Sequence, residues 1–304
     1  MTTATWTTVI DHSTDVAFRA WGSELSANLA AVGMVQTADT GQINWSTVTR
    51  AGTTSDAGYE IWRFNDTQQS TSPIFLKLFY GTGATTSTPR LGYQISSVTN
   101  GAGVVTGGQN TAPYYCYSLG AASASTSRIS YLSYSDGFFA LFHKIAGYNP
   151  SATYTPYVII ARTVNSTQTP TANGAAVYWQ NAGSNYYYNQ MRFLATASNT
   201  QYITSATWSG CYIPGANTTS SIIPTNPGVA RAFPHFSFVP DVLPLIGICT
   251  VNTNDNPGGS TFTSTLFGST SRTYLSLGYG SANGYPPQAD AGTTTNYGVG
   301  ILWE

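Results

Sequence analysis

The chain has 304 residues, enough for one large or two modest domains, and its 41% hydrophobic content excludes intrinsic disorder. Only 8% of its residues are charged, against about 25% in an ordinary soluble protein. Eleven basic residues oppose twelve acidic ones, thinly spread. The clustered Lys and Arg of a phosphate-backbone binder are missing, which excludes nucleic acid as a partner.

The polar surface must therefore be built from Thr, Ser, Asn, Gln and Tyr; the lysines are Lys77 and Lys144 alone. Such a surface gives little long-range steering and packs against copies of itself with few charges to desolvate. The start of the chain, Met1-Thr2-Thr3-Ala4-Thr5-Trp6, shows no basic region followed by an apolar run, so synthesis without a signal peptide is expected. No window reaches the length of a membrane span, and the apolar stretch 239–251 is broken by Pro240 and Pro244. Cys116, Cys211 and Cys249 have no metal-like spacing and are expected to be reduced and buried.

In chain order, residues 5–10 predict a short leading strand or arm. Residues 13–36 then predict a helix, with Phe18, Trp21, Leu25, Leu29 and Val32 on one face. Ser13 or Thr14 suits the cap, Asp15 the first turn, and Gly33 lies near the expected end. This stripe must bury itself on the chain's own sheet or on a neighbouring subunit. The favoured expectation is that Trp21 and Leu25 pack on the sheet, and that assembly contacts come from the leading arm and the long loops. Residues 43–49 and 59–64 read as strands. The run 74–80 is apolar on both faces apart from Lys77, as a central strand covered on both sides would be. Leu91, Tyr93 and Ile95 mark another strand, Asn100-Gly101 signals a hairpin, and Tyr114 to Leu119 form the next strand. Residues 129–134 and 138–145, joined by Ser135-Asp136-Gly137, make the clearest hairpin.

Further strands are expected at 157–164, 175–179, 186–194, 206–213, 233–239, 243–251, 262–267, 274–279 and 297–303. About fifteen short strands with turn-sized connections predict a mainly β fold, an antiparallel β-sandwich or barrel-like body carrying one N-terminal helix. We expect a single β-rich body over 1–304, with a helix-plus-sheet module over about 1–108 and a candidate internal division in the loop 165–174. The Gly/Pro-rich loop 280–295 suits a partner contact.

Chemistry-bearing residues are sparse. His12, His143 and His235 fall on different elements. Glu24 and Glu60 are the glutamates besides Glu304. Asp136 and Asp255 sit in turns, and Asp241 follows Pro240. No nucleophile elbow, zinc-protease or P-loop motif occurs. Residues 252–259 alternate oxygen ligands but lack the glutamate of an EF-hand loop, so a polar turn is expected there. Tyr186, Tyr187 and Tyr188, and Tyr114, Tyr115 and Tyr117, suit either a sandwich wall or a platform for sugar rings. The expectation is a protein without catalytic, cofactor-binding or metal-binding residues.

Phe18-Arg19-Ala20-Trp21-Gly22-Ser23-Glu24-Leu25, followed by Val35-Gln36-Thr37-Ala38-Asp39-Thr40-Gly41-Gln42-Ile43, resembles the start of structural proteins of tailed bacteriophages. Tyr59-Glu60-Ile61-Trp62-Arg63-Phe64-Asn65-Asp66 and Pro73-Ile74-Phe75-Leu76-Lys77-Leu78, with Tyr80-Gly81-Thr82-Gly83, are similar to the same proteins. The resemblance spans mainly residues 15–83. It implies a non-enzymatic virion component of the tail, baseplate or fibre region, whose partners are other virion proteins and copies of itself. Competing expectations are a receptor-binding module for a host surface glycan, a capsid decoration protein, or a polysaccharide depolymerase. The last is disfavoured because the coil-length repeats of a β-helix are missing.

Overall fold

The computed structural model describes residues 2–6, 11–83, 86, 89–106, 114–118, 128–145, 157–165, 167, 169–180, 192–195, 211–212, 232–237, 243–252, 260–264, 271–276 and 297–303. In order they form β1 (Thr2–Trp6), α1 (Asp15–Ala31), β2 (Val35–Gln36), β3 (Ser55–Arg63), β4 (Phe75–Thr82), β5 (Pro89–Ser96), β6 (Val98–Thr99), β7 (Val105–Thr106) and β8 (Tyr114–Ser118). There follow β9 (Arg128–Ser135), β10 (Phe138–Ile145), β11 (Tyr157–Val164), β12 (Pro170–Gln180), β13 (Arg192–Ala195) and β14 (Cys211–Tyr212). The last are β15 (Ala232–Ser237), β16 (Leu243–Asn252), β17 (Thr261–Ser264), β18 (Arg272–Ser276) and β19 (Tyr297–Leu302).

The fold is mainly β and antiparallel, with α1 packed on it. The smaller sheet runs β2-β3-β4-β5-β8. The larger runs β1-β9-β10-β11-β16-β19-β18-β17, with β12 and β13 branching at β11 and β15 and β14 at β16. Both run between edge strands, so among the described residues neither closes into a barrel. One core connects the two sheets. It takes Phe18, Trp21, Leu25 and Leu29 from α1, Trp62, Leu76, Leu78 and Tyr93 from the smaller sheet, and Leu132, Phe139, Val158 and Ile160 from the larger.

The helix starts as expected: the Thr14 side chain accepts a hydrogen bond from the Ala17 amide, and Asp15 lies in the first turn. It ends at Ala31 rather than at Gln36. Gly33 takes φ +106, its amide donates to the Ala30 carbonyl at 3.0 Å, and the Met34 amide reaches back to Leu29 at 3.1 Å. That pair of bonds is a Schellman termination, and it frees residues 35 and 36 to pair with β3. Trp21 and Leu25 are buried, and the Trp21 ring meets that of Tyr80 edge-on at 5.9 Å. The helix stripe thus packs on β4 of its own chain.

Residues 43–49 are not a strand. The Asn44 carbonyl accepts from Thr47 and Val48 at 3.1 and 2.9 Å, and its side chain accepts from the Ser46 amide at 3.0 Å. This local bonding turns the chain and carries Trp45 over Gly22, where any Cβ would collide with the indole. Residues 170–174 belong to β12 rather than to a loop. The connection narrows to 165–169, with Asn165 Oδ1 accepting from the Thr167 and Thr169 amides at 3.0 and 2.9 Å. The leading strand is described over Thr2–Trp6, where it pairs with β9; residues 7–10 of the expected strand lie outside the described residues. Residues 186–191 and 280–295 lie outside the described residues. Among the described residues no helix is long and apolar enough to cross a membrane.

Candidate interaction surface

The smaller sheet has two unlike faces. Register places Glu60, Trp62, Leu76, Leu78, Tyr80, Leu91, Tyr93 and Ile95 on the face toward α1. Glu60 is 1% exposed there. Its Oε1 accepts from Trp45 Nε1 at 2.9 Å, and its Oε2 accepts from Trp62 Nε1 at 3.2 Å and from the Tyr80 hydroxyl at 2.7 Å. Burial, then the Glu60 charge, hold the Tyr80 hydroxyl well above its usual value. The carboxylate fastens the turn to the sheet beneath α1.

The opposite face presents Tyr59, Ile61, Phe75, Lys77, Phe79 and Gln94. The hairpin of β6 and β7 lies over it. Gly103 is clamped by two opposite charges: its amide donates to Asp39 Oδ1 at 3.1 Å and its carbonyl accepts from Lys77 Nζ at 2.7 Å. The Lys77 ammonium lies 3.9 Å from the centre of the Tyr59 ring and 4.7 Å from that of Phe79. Thr37 and Thr99 hydroxyls also donate to Asp39, and the Thr40 amide donates to the Gly101 carbonyl at 2.9 Å. Burial alone would raise the Asp39 carboxyl, but these donors outweigh it and hold it below the ordinary carboxylate value. Burial lowers the Lys77 ammonium, opposed by the charges of Asp39 and Asp56.

The clamp fixes which way the hairpin faces. Thr99 and Val105 point toward the body, so Val98, Asn100, Val104 and Thr106 point outward. Val98 is 50% and Val104 53% exposed; with Val16 they are the exposed large hydrophobics among the described residues. The Asn100 side chain accepts from the Ala102 and Val104 amides at 2.8 and 3.0 Å, which stiffens the tip. The result is a rigid, uncharged, partly apolar projection, suited to a protein contact.

Gly103 has φ +85, and a Cβ there would run into the Tyr59 hydroxyl. Gly103→Ala is therefore expected to lift the hairpin. Amide exchange over 98–106 should accelerate while β3 and β4 keep their protection, read by hydrogen exchange with mass spectrometry.

The other sequence-selected residues do not converge here. Glu24 is half-buried on α1, and Asp136 Oδ1 accepts from the Thr67 amide at 2.9 Å. His12 is buried in the segment just before α1. His143 lies on β10, His235 on β15, Cys116 with Tyr114, Tyr115 and Tyr117 on β8, and Cys211 on β14. Cys249 is buried on β16, where burial pushes its thiol up. Asp241, residues 253–259 (Asp255 among them) and Tyr186, Tyr187 and Tyr188 lie outside the described residues. Sequence reasoning missed Asp39 and Gly103. The available signal was Lys77, a lone cation in an apolar strand that had to find an acceptor. No protein-family model, curated protein or solved structure was found to match the chain.

Proposed function

We propose that the chain is a non-enzymatic structural component of a bacteriophage virion, in its tail, baseplate or fibre region. It acts through contacts with copies of itself and with neighbouring virion proteins. The observation that carries this reading is the clamped hairpin, whose partly apolar outward face, with Val98 and Val104 exposed, is held in place by Asp39 and Lys77. Preorganisation lowers the ordering cost of a contact, and the low charge of the chain lowers the desolvation cost. The buried ionisable groups support the same reading: Glu60, Asp39, Lys77, Asp66 and Arg162 each bond to other parts of the chain. The resemblance of residues 15–83 to phage structural proteins points the same way.

Analytical ultracentrifugation tests it with the Val98→Ser, Val104→Ser double variant. The expected result is a defined oligomer for the wild type and a smaller species for the variant, with unchanged thermal stability. A wild-type monomer that binds host cells and competes with phage adsorption would replace this reading with the receptor-binding one.

A further inference from the structure

His12 lies away from the hairpin and is only 1% exposed. Its ring sits 4.9 Å from that of Phe18 on α1. Nε2 is 2.9 Å from the Gly81 carbonyl and 3.2 Å from Thr82 Oγ1. A carbonyl can only accept, and the Thr82 hydroxyl already donates to the Ala51 carbonyl at 2.7 Å. Nε2 therefore carries the hydrogen, and both oxygens accept from it. Nδ1 is left as the bare nitrogen, buried and without a hydrogen-bond partner.

Protonation would place an N–H at Nδ1, buried, with no acceptor in reach beyond the histidine's own backbone. The surroundings oppose it further. Arg50 reaches in from the loop before β3, donating through Nη1 to the His12 and Ser13 carbonyls at 2.8 and 2.7 Å. On the histidine's own segment Asp11 is the nearby acid, and it is engaged by the Ser13 amide at 2.7 Å. Asp15 on α1 is paired with Arg50 at 3.2 Å. The β4 side offers the neutral Gly81 and Thr82.

We propose that His12 is an acid-sensitive latch: neutral, it fastens residues 11–14 to β4, and protonated, it lets that segment go. Burial, helped by the Arg50 charge, holds the ring below its usual value and outweighs the His12 and Gly81 backbone bonds and the Asp11 charge, which favour protonation. The docked state thus binds fewer protons than the released one. Docking is at full strength above about pH 6.5, weakens as pH falls below it, and levels off beneath the docked ring's own value.

Hydrogen exchange of the full chain at pH 8 and pH 5, corrected for intrinsic rates, tests this alongside His12→Gln. The glutamine keeps a donor for the Gly81 carbonyl and does not titrate. Residues 11–18 of the wild type should lose protection at the lower pH while β3 and β4 keep theirs, and the variant should show no such loss. Equal wild-type protection at both pH values would overturn the latch, as would the same loss in His12→Gln. Should that variant fail to fold, the wild-type loss must track the NMR titration of the His12 ring; a loss without that titration also overturns it.

Discussion

Asp66→Asn is expected to destabilise the chain by about 3–5 kcal/mol, read as a lower midpoint in urea unfolding. Asp66 follows β3 and reaches across to Arg162 on β11, so the pair joins the two sheets. Nε meets Oδ2 at 2.6 Å and Nη2 meets Oδ1 at 3.1 Å, a two-pronged contact with both side chains 0% exposed. The guanidinium lies 5.9 Å from the centre of the Phe64 ring, and its Nη1 has no partner. Asparagine preserves the shape but removes the charge that compensates a fully buried cation, and its amide turns a donor toward another donor. Asp66→Leu with Arg162→Met removes both charges and should cost less than Asp66→Asn alone. Equal losses in the two variants would mean that packing at the junction matters more than the pair. Neighbouring bonds hold the same seam: the Asn65 amide donates to the Tyr134 hydroxyl at 2.6 Å, and burial pushes that hydroxyl up to about 12.

The second large effect is expected at the helix. Trp21→Ala should cost about 3–5 kcal/mol, because the site cannot collapse around the lost indole. Its walls are already rigid. Phe18 lies 6.0 Å away and Tyr80 5.9 Å away, and Tyr80 is in turn held by Glu60 and met edge-on by Trp45 at 4.8 Å. Urea unfolding should show the lower midpoint with an unchanged slope. An unchanged midpoint for the isolated chain would mean that the indole does not rest on its own sheet.

Much of this was legible in the sequence, for local reasons. The helix stripe, its Thr14 cap and the hairpins at Asn100-Gly101 and Ser135-Asp136-Gly137 are written in spacing and turn chemistry. The two-sided strand around Lys77 revealed itself by composition. What stayed hidden depends on partners distant in sequence. Residues 43–49 alternate like a strand, but Asn44 turns the chain and the gap above Gly22 receives Trp45. Glu60 reads only as one of the few glutamates, on a strand, and nothing local announces the two indoles and the hydroxyl that converge on it. Nothing local marks Asp39 or Asp66 as bridging residues; their partners lie 64 and 96 positions away. The outward face of the hairpin follows only once Gly103 is seen fixed between Asp39 and Lys77.

The central claim is that the clamped hairpin is an assembly contact within a virion. A photoreactive phenylalanine at position 98, activated in purified particles that carry the chain, tests it most directly. The account predicts a covalent adduct between the hairpin and a second copy of the chain or a neighbouring particle protein. It also predicts that Gly103→Ala, which unseats the hairpin, abolishes the adduct. A chain missing from purified particles, or present in them with no adduct from position 98, would contradict it.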